Sequence, residues 1–311
     1  MKPMKYLSVG SAEILHELLD SPQWSVEQKM DGTRGWALLR GDEPAVMTVG
    51  VTLDGQPLPL KHTAATQHLR RIFTQGVYAL HERLMPGESL ILDGEIMIDT
   101  GEFRVFDVPL LSTRNGANCS PDTPQQKRRE LLEQLATGFG SAASLVPQAI
   151  GGFDKRWMLT NCRRNNVEGV VFKHLDAPYR TDGKRTDRVL KYKFVKTADV
   201  IVIRESRSRN SEGREVGSIE FGVMAPFEGE MTVDQQQAVT LLRRLPILPV
   251  GRCSVIGKPH VEPGDVIEVA YLYRAATGGL IQPRMTRIRH DKSPRECGID
   301  QFVSYSREIV R

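Results

Sequence analysis

The 311-residue chain predicts an α+β protein of two domains. Its length exceeds one ordinary small domain and suits two, each with its own core. Over residues 1–196 strand-like and helix-like segments mix, whereas from 197 to 311 the texture changes to recurrent short β segments separated by turns. The composition, 40% hydrophobic and 26% charged, is that of a soluble globular chain.

The elements follow in order. Ser11 caps a short helix over residues 11–19. Residues 24–39 read as two strands joined by a turn at Asp31-Gly32, a common hairpin dipeptide. Apolar spacing at Leu69, Ile72, Phe73 and Val77 predicts a helix with Arg70 and Arg71 on its wet side. Residues 90–98, which carry Asp93 and Glu95, and residues 103–108 read as neighbouring strands. Asn, Gly, Ser and Pro crowd residues 115–124 into a loop, and residues 125–135 form a helix. Residues 138–152 are small and weakly patterned, and no element is assigned there. A compact strand follows at 168–173. Period-two alternation over 189–195 predicts a half-buried strand that projects Lys191 and Lys193 from one face. Strands at 199–203, 218–224, 252–256 and 266–271 have the spacing of a small barrel, with a helix at 233–244.

Charge and cysteines narrow the function classes. Net charge is +4, which permits a polyanionic partner. The excess is local, with seven cations against two carboxylates between residues 180 and 196. Cys119, Cys162, Cys253 and Cys297 lie far apart with no paired spacing, so zinc and disulfide frameworks are not indicated and free thiols are expected. No apolar run is long enough to span a bilayer, and residues 1–20 lack the layout of a secretory signal, so a cytoplasmic protein without a membrane partner is expected.

The chemistry centres on Lys29, placed in a polar turn between two apolar runs. An ordinary lysine is protonated, and a nucleophilic one needs burial, a second cation or a metal nearby. Two later strands each carry Gly beside Glu, at Glu95 and Glu168; Phe106-Asp107 supplies an aromatic face with an acid, and Lys191 and Lys193 supply cations. A purine nucleotide needs each of these: a stacking face, polar edges, cations for phosphates and oxygen ligands for the bridging metal.

The ordered set resembles the covalent nucleotidyltransferase superfamily and, within it, the small ATP-dependent DNA ligases of the bacteriophage and bacterial type. Lys29-Met30-Asp31-Gly32-Thr33-Arg34 matches the nucleophile motif KxDGxR. Leu92-Asp93-Gly94-Glu95 is similar to the third motif, Phe103-Arg104-Val105-Phe106-Asp107 to the aromatic motif, and Glu168-Gly169-Val170-Val171-Phe172-Lys173 to the fourth. Leu190-Lys191-Tyr192-Lys193 is similar to the fifth and residues 283–292, ending Arg289-His290-Asp291-Lys292, to the sixth. The resemblance implies a nucleotidyltransferase domain of antiparallel sheets and helices, followed by an OB-fold barrel. It implies that Lys29 attacks the α-phosphate of ATP and carries AMP. Glu27 and the backbone at Gln28 would meet the adenine edge, Phe106 would stack on it, and Arg34 and Glu95 would hold ribose and phosphate. Glu168 with Glu95 would position Mg²⁺. Lys191 and Lys193 would bind the α-phosphate and, by repulsion, help to keep Lys29 neutral. Arg289 and Lys292 would swing over from the second domain to orient the leaving pyrophosphate.

The implied partner is nicked duplex DNA, sealed by a monomer in the cytoplasm, in replication, repair or recombination. Arg180, Lys184, Arg185, Arg207 and Arg209, with Arg204 and Arg214, would grip the duplex backbone, or else form a solvated face. With no DNA-binding domain ahead of residue 1, a minimal enzyme is expected, in host cytoplasm if viral. The family has a Ser-Arg pair some twenty residues after the nucleophile, where residues 48–55 here contain no arginine; Arg70 or Arg71 could substitute. Three other readings remain: an mRNA-capping guanylyltransferase, an RNA ligase, and a non-catalytic nucleic-acid-binding protein.

Overall fold

The computed structural model describes residues 1–51, 57–59, 69, 71–114, 118–165, 167–224 and 247–302. The helix expected at 233–244, Arg70 and residues 52–55 lie outside them. The chain divides into two compact units, Met1–Lys193 and Phe194–Arg311.

The first unit contains, in chain order, β1 (Lys5–Ser8), α1 (Ala12–Asp20), β2 (Trp24–Lys29), β3 (Thr33–Arg40), β4 (Glu43–Val51), β5 (Pro57–Pro59), a wide helical turn over Ile72–Val77 that runs into α2 (Tyr78–His81), β6 (Ser89–Met97), β7 (Glu102–Ser112), α3 (Gln125–Ala136), β8 (Ala143–Leu145), β9 (Gln148–Ala149), α4 (Gly152–Arg164), β10 (Gly169–His174) and β11 (Arg185–Lys193). These strands form two sheets, of order β1-β11-β10-β2-β9 and β5-β4-β3-β6-β7-β8. Neighbours are antiparallel except β1 with β11 and β7 with β8. Ser11 accepts the Ile14 amide at 3.4 Å and so caps α1. Alternating Leu90, Leu92 and Ile96 of β6 and Phe103 and Val105 of β7 enter the core, where Leu132 of α3 meets them.

Helix α4 escapes sequence assignment for a physical reason. Its buried residues Lys155, Met158, Leu159 and Cys162 have helical spacing, but a lysine occupies the first slot. That ammonium donates to the carbonyls of Leu18, Ser21 and Trp24 at 3.0, 2.6 and 3.1 Å, satisfying backbone groups at the end of α1 and the start of β2.

The second unit comprises β12 (Lys196–Arg209), β13 (Glu215–Met224), β14 (Ile247–Ser254), β15 (Val266–Tyr271) and β16 (Arg284–Ile288). They form one antiparallel sheet of order β14-β13-β12-β15-β16 around Val200, Val202, Ile219, Phe221, Ile267, Val269 and Met285. Among the described residues no ladder joins β14 to β16, so the expected barrel is not closed there. Strand β16 is unassigned from sequence because only Met285 of its five residues is buried. All four cysteines are free and buried, and no helix among the described residues is long and apolar enough to cross a membrane.

Candidate active site

Strand register assembles the site. Gly169 of β10 pairs with Lys29 of β2 on one side and Lys193 of β11 on the other. Two residues along, Val171 pairs with Glu27 and with Lys191. Side chains two apart in a strand share a face, so Lys29, Glu27, Lys191, Lys193 and Lys173 rise from one surface of this sheet. Gly169 is required in the middle of it: a Cβ there would lie 2.1 Å from the Tyr192 carbonyl oxygen.

Glu168 stands at the end of this row with its carboxylate 3% exposed as a residue. One oxygen takes the Lys29 ammonium at 2.6 Å and the other takes Lys193 at 2.6 Å, while Lys29 also donates to the Met30 carbonyl at 3.3 Å. Burial, together with the charges of Lys193 and Lys29, holds Lys191 below the usual lysine range. Glu95 lies on β6 opposite Arg34 of β3. Burial pushes its carboxyl up to about 7, against the pull of Lys29 and Arg34.

Tyr6, Glu27, Gln28, Lys29, Met30, Arg34, Glu95, Phe106, Val171 and Lys173 line a single pocket. At the Glu27 end, one carboxylate oxygen meets Lys173 at 2.7 Å, and the other accepts from Gln148 at 3.0 Å with Arg129 at 3.6 Å. Burial pushes the Glu27 carboxyl up while Lys173 and Arg129 pull against it. Lys173 also donates to the Phe106 carbonyl at 2.8 Å and sits 5.0 Å from the ring centroid of Phe106. Arg34 lies 5.4 Å from that ring and 5.1 Å from Tyr6.

Arg34 is itself fixed. Fully buried Asp93 receives its Nε at 3.0 Å and its Nη2 at 2.5 Å, and receives the Tyr179 hydroxyl at 2.6 Å. Beneath Phe106, Asp107 forms a buried pair with Arg128 at 2.8 Å; burial resists the charge, yet Arg128 holds the carboxyl below its usual range. Asp93, Lys173, Gln148, Arg128, Arg129, Tyr6 and Tyr179 are not picked out as site residues from sequence. Asp93 and Lys173 fall inside the quoted motifs, and the Arg128-Arg129 pair on a predicted helix is a signal only if that face is known to be buried.

Other candidates lie elsewhere. Arg180 pairs with Asp182 at 2.5 Å, and Lys184 and Arg185 are exposed. Arg207 is not a solvated arginine: it bonds Glu205, bonds Glu215 at 2.7 Å, and donates to the Lys258 and Pro259 carbonyls at 3.1 and 2.7 Å. Arg209 donates to the Gly213 carbonyl at 3.0 Å. Arg289 and Lys292, in the second unit, meet on Asp199. In the stretch without the Ser-Arg pair, Thr48 is buried and accepts the Trp36 amide at 3.0 Å. Arg71 is exposed.

Among the described residues no group of three His, Cys, Asp or Glu side chains forms a ready cage for a metal. Glu95 and Glu168 are coupled to each other and to Lys29. Two carboxylates suit Mg²⁺ whose shell is completed by phosphate oxygens and water rather than by protein alone.

The family model described as RNA ligase matches residues 22–193, more than half of the chain. A DNA ligase of Methanothermobacter thermautotrophicus is 30% identical over 192 residues, covering 56% of this chain and 34% of that one. DNA ligase 1 of Korarchaeum cryptofilum is 24% identical over 340 residues, covering 99% of this chain and 61% of that one. The chain thus spans about one third to three fifths of the length of these relatives. A solved structure from work on DNA binding by the minimal Lig E DNA ligases is similar at TM-score 0.54 and 14% identity, covering 93% of this chain and 99% of that one. That likeness is one of fold.

Proposed function

The chain belongs to the RNA ligase family, and on that premise we propose that it is an ATP-dependent DNA ligase that seals nicks through a lysyl-AMP intermediate. The observation that carries the reading is Lys29, held by Glu168 beside Lys193, lining one pocket together with Glu27, Phe106 and Lys173. The relatives named DNA ligase favour DNA as the strand joined.

In this reading the purine stacks on Phe106 and Glu27 accepts from its amino edge. Lys29 Nζ, released from Glu168 and having given up one proton to water, attacks the α-phosphorus of ATP with its lone pair, and loses a second proton to water as the phosphoramide forms. The N–P bond forms as the bond to pyrophosphate breaks. Lys191 and Lys193 neutralise the α-phosphate oxygens, and Arg289 and Lys292 take the leaving pyrophosphate. Glu95 and Glu168 would hold Mg²⁺, which supplies charge neutralisation on the phosphates when bound. A 5′-phosphate oxygen of the nick then displaces Lys29 and accepts AMP, and the neighbouring 3′-hydroxyl displaces AMP to close the strand. Each step is an in-line displacement, so positioning and electrostatics do the work. The second unit serves as an OB-type module, and Arg180, Lys184, Arg185 and Arg209 are backbone contacts of a monomer on duplex DNA.

The test is charging with labelled ATP or GTP and Mg²⁺, followed by a nicked DNA duplex or a broken RNA strand. An ATP adduct that passes to and seals the DNA nick supports the reading. An adduct with GTP alone would replace it with a capping activity, preferential joining of RNA with RNA ligation, and duplex binding without any adduct with a non-catalytic role.

A further inference from the structure

Within the second unit, Asp199 is a buried carboxylate on β12 whose neighbours Ala198, Val200, Ile201 and Val202 are all buried and apolar. Its two oxygens are divided between two cations: Arg289 Nη1 at 2.8 Å and Lys292 Nζ at 2.5 Å. The backbone behind it is bolted in place. Its amide donates to Gln301 Oε1 at 2.9 Å and its carbonyl accepts Gln301 Nε2 at 2.8 Å. Asp291 takes the Nε–Nη2 edge of the Arg289 guanidinium, at 2.9 and 2.8 Å, and Glu268 lies 3.8 Å from Nη1. The hydrogen bond to Asp291 and the charge of Asp199 raise Arg289 above its ordinary range, and the bond to Asp199 raises Lys292.

One cation would suffice to compensate a buried carboxylate. Two on one carboxylate bring a guanidinium and an ammonium together at one point. Arg and Lys each lose much rotamer freedom when fixed, a cost that falls on ligand binding unless the protein has met it in advance. A guanidinium fork beside a point cation suits a ligand with several phosphate oxygens.

We propose that Asp199 is a positioning residue for pyrophosphate departure: it holds Arg289 and Lys292 together so that they act on the β- and γ-phosphates of ATP as one unit. The proposal rests on the ligase reading and adds to it a residue outside the matched motifs. Asp199 touches no reacting atom and acts only through the two cations.

The experiment compares Asp199→Ala, Asp199→Asn and Asp199→Glu in two assays: single-turnover charging with labelled ATP across a concentration series, and sealing of a nick already carrying AMP on its 5′-phosphate, from which no pyrophosphate leaves. Asp199→Ala should lower the maximal charging rate by about tenfold or more and raise the ATP concentration for half-saturation. Asp199→Glu should recover most of that loss, with Asp199→Asn between the two. Sealing of the pre-adenylated nick should stay within about twofold of the unsubstituted protein for all three. Equal losses in both assays would reduce Asp199 to a scaffold residue and overturn the proposal, as would unchanged charging. If the unsubstituted protein forms no adduct at all, the ligase reading itself fails, a result distinct from either.

Discussion

Glu95 and Glu27 are carboxyls whose burial works against their ionisation, and among the described residues only Glu27 of the two has a cation within ion-pair distance. The consequence for Glu95 can be signed. Its folded value of about 7 exceeds the ordinary 4.5, so the folded state holds the proton more tightly between those values. Stability should fall as pH rises from about 4.5 to about 7 and level off above, and Glu95→Gln should remove that component. Urea midpoints of both proteins across this range, without added metal, provide the check; parallel curves would contradict the assignment. The buried Arg128–Asp107 pair makes a second prediction. Arg128→Met strands a carboxylate and should cost about 3–5 kcal/mol, much of it recovered in the double variant with Asp107→Leu. Lys29, Phe106 and Glu168 are legible in sequence because lysine, aromatic and acid beside glycine each announce a chemistry. Asp93, Arg128, Arg129 and Asp199 are not. Their roles depend on partners 59, 21, 102 and 90 positions away for Arg34, Asp107, Glu27 and Arg289, measured along the chain.

At the scale of elements, the site is a product of register among β2, β10 and β11. A one-residue slip would send Lys29, Glu27 and the paired lysines to the other face. Gly169 guards this register, since a Cβ would meet the Tyr192 carbonyl oxygen at 2.1 Å and Lys193 Cα at 2.9 Å. Gly169→Ala should therefore push β11 away, destabilise the protein by about 1–3 kcal/mol and lower charging through displacement of Lys193. Normal charging with a normal urea midpoint would show that the strands tolerate the spread. Ten of the strands are legible in sequence, β11 from alternation and others, such as β2, β3, β6 and β10, as short apolar runs beside turn residues. Strands β1, β4, β5, β8 and β9 are not assigned from sequence, and neither are α4, whose buried stripe Lys155 masks, and β16, which has too little apolar content to register as a strand.

At the scale of the molecule, two units each carry their own buried core. Glu27, Phe106, Lys29, Glu168, Lys191 and Lys193 all belong to Met1–Lys193, whereas Arg289 and Lys292 belong to Phe194–Arg311. A fragment of residues 1–193 should fold cooperatively, bind nucleotide weakly and fail to charge with ATP. Full charging by that fragment would remove Arg289 and Lys292 from the reaction. Whether Lys29 carries AMP on its way to a DNA nick is read by peptide mass spectrometry after incubation with ATP and Mg²⁺, repeated after addition of nicked duplex. AMP should appear on the Lys29 peptide, be absent in Lys29→Ala and be discharged by the nick. AMP on another residue, or an adduct that persists in Lys29→Ala, would contradict it.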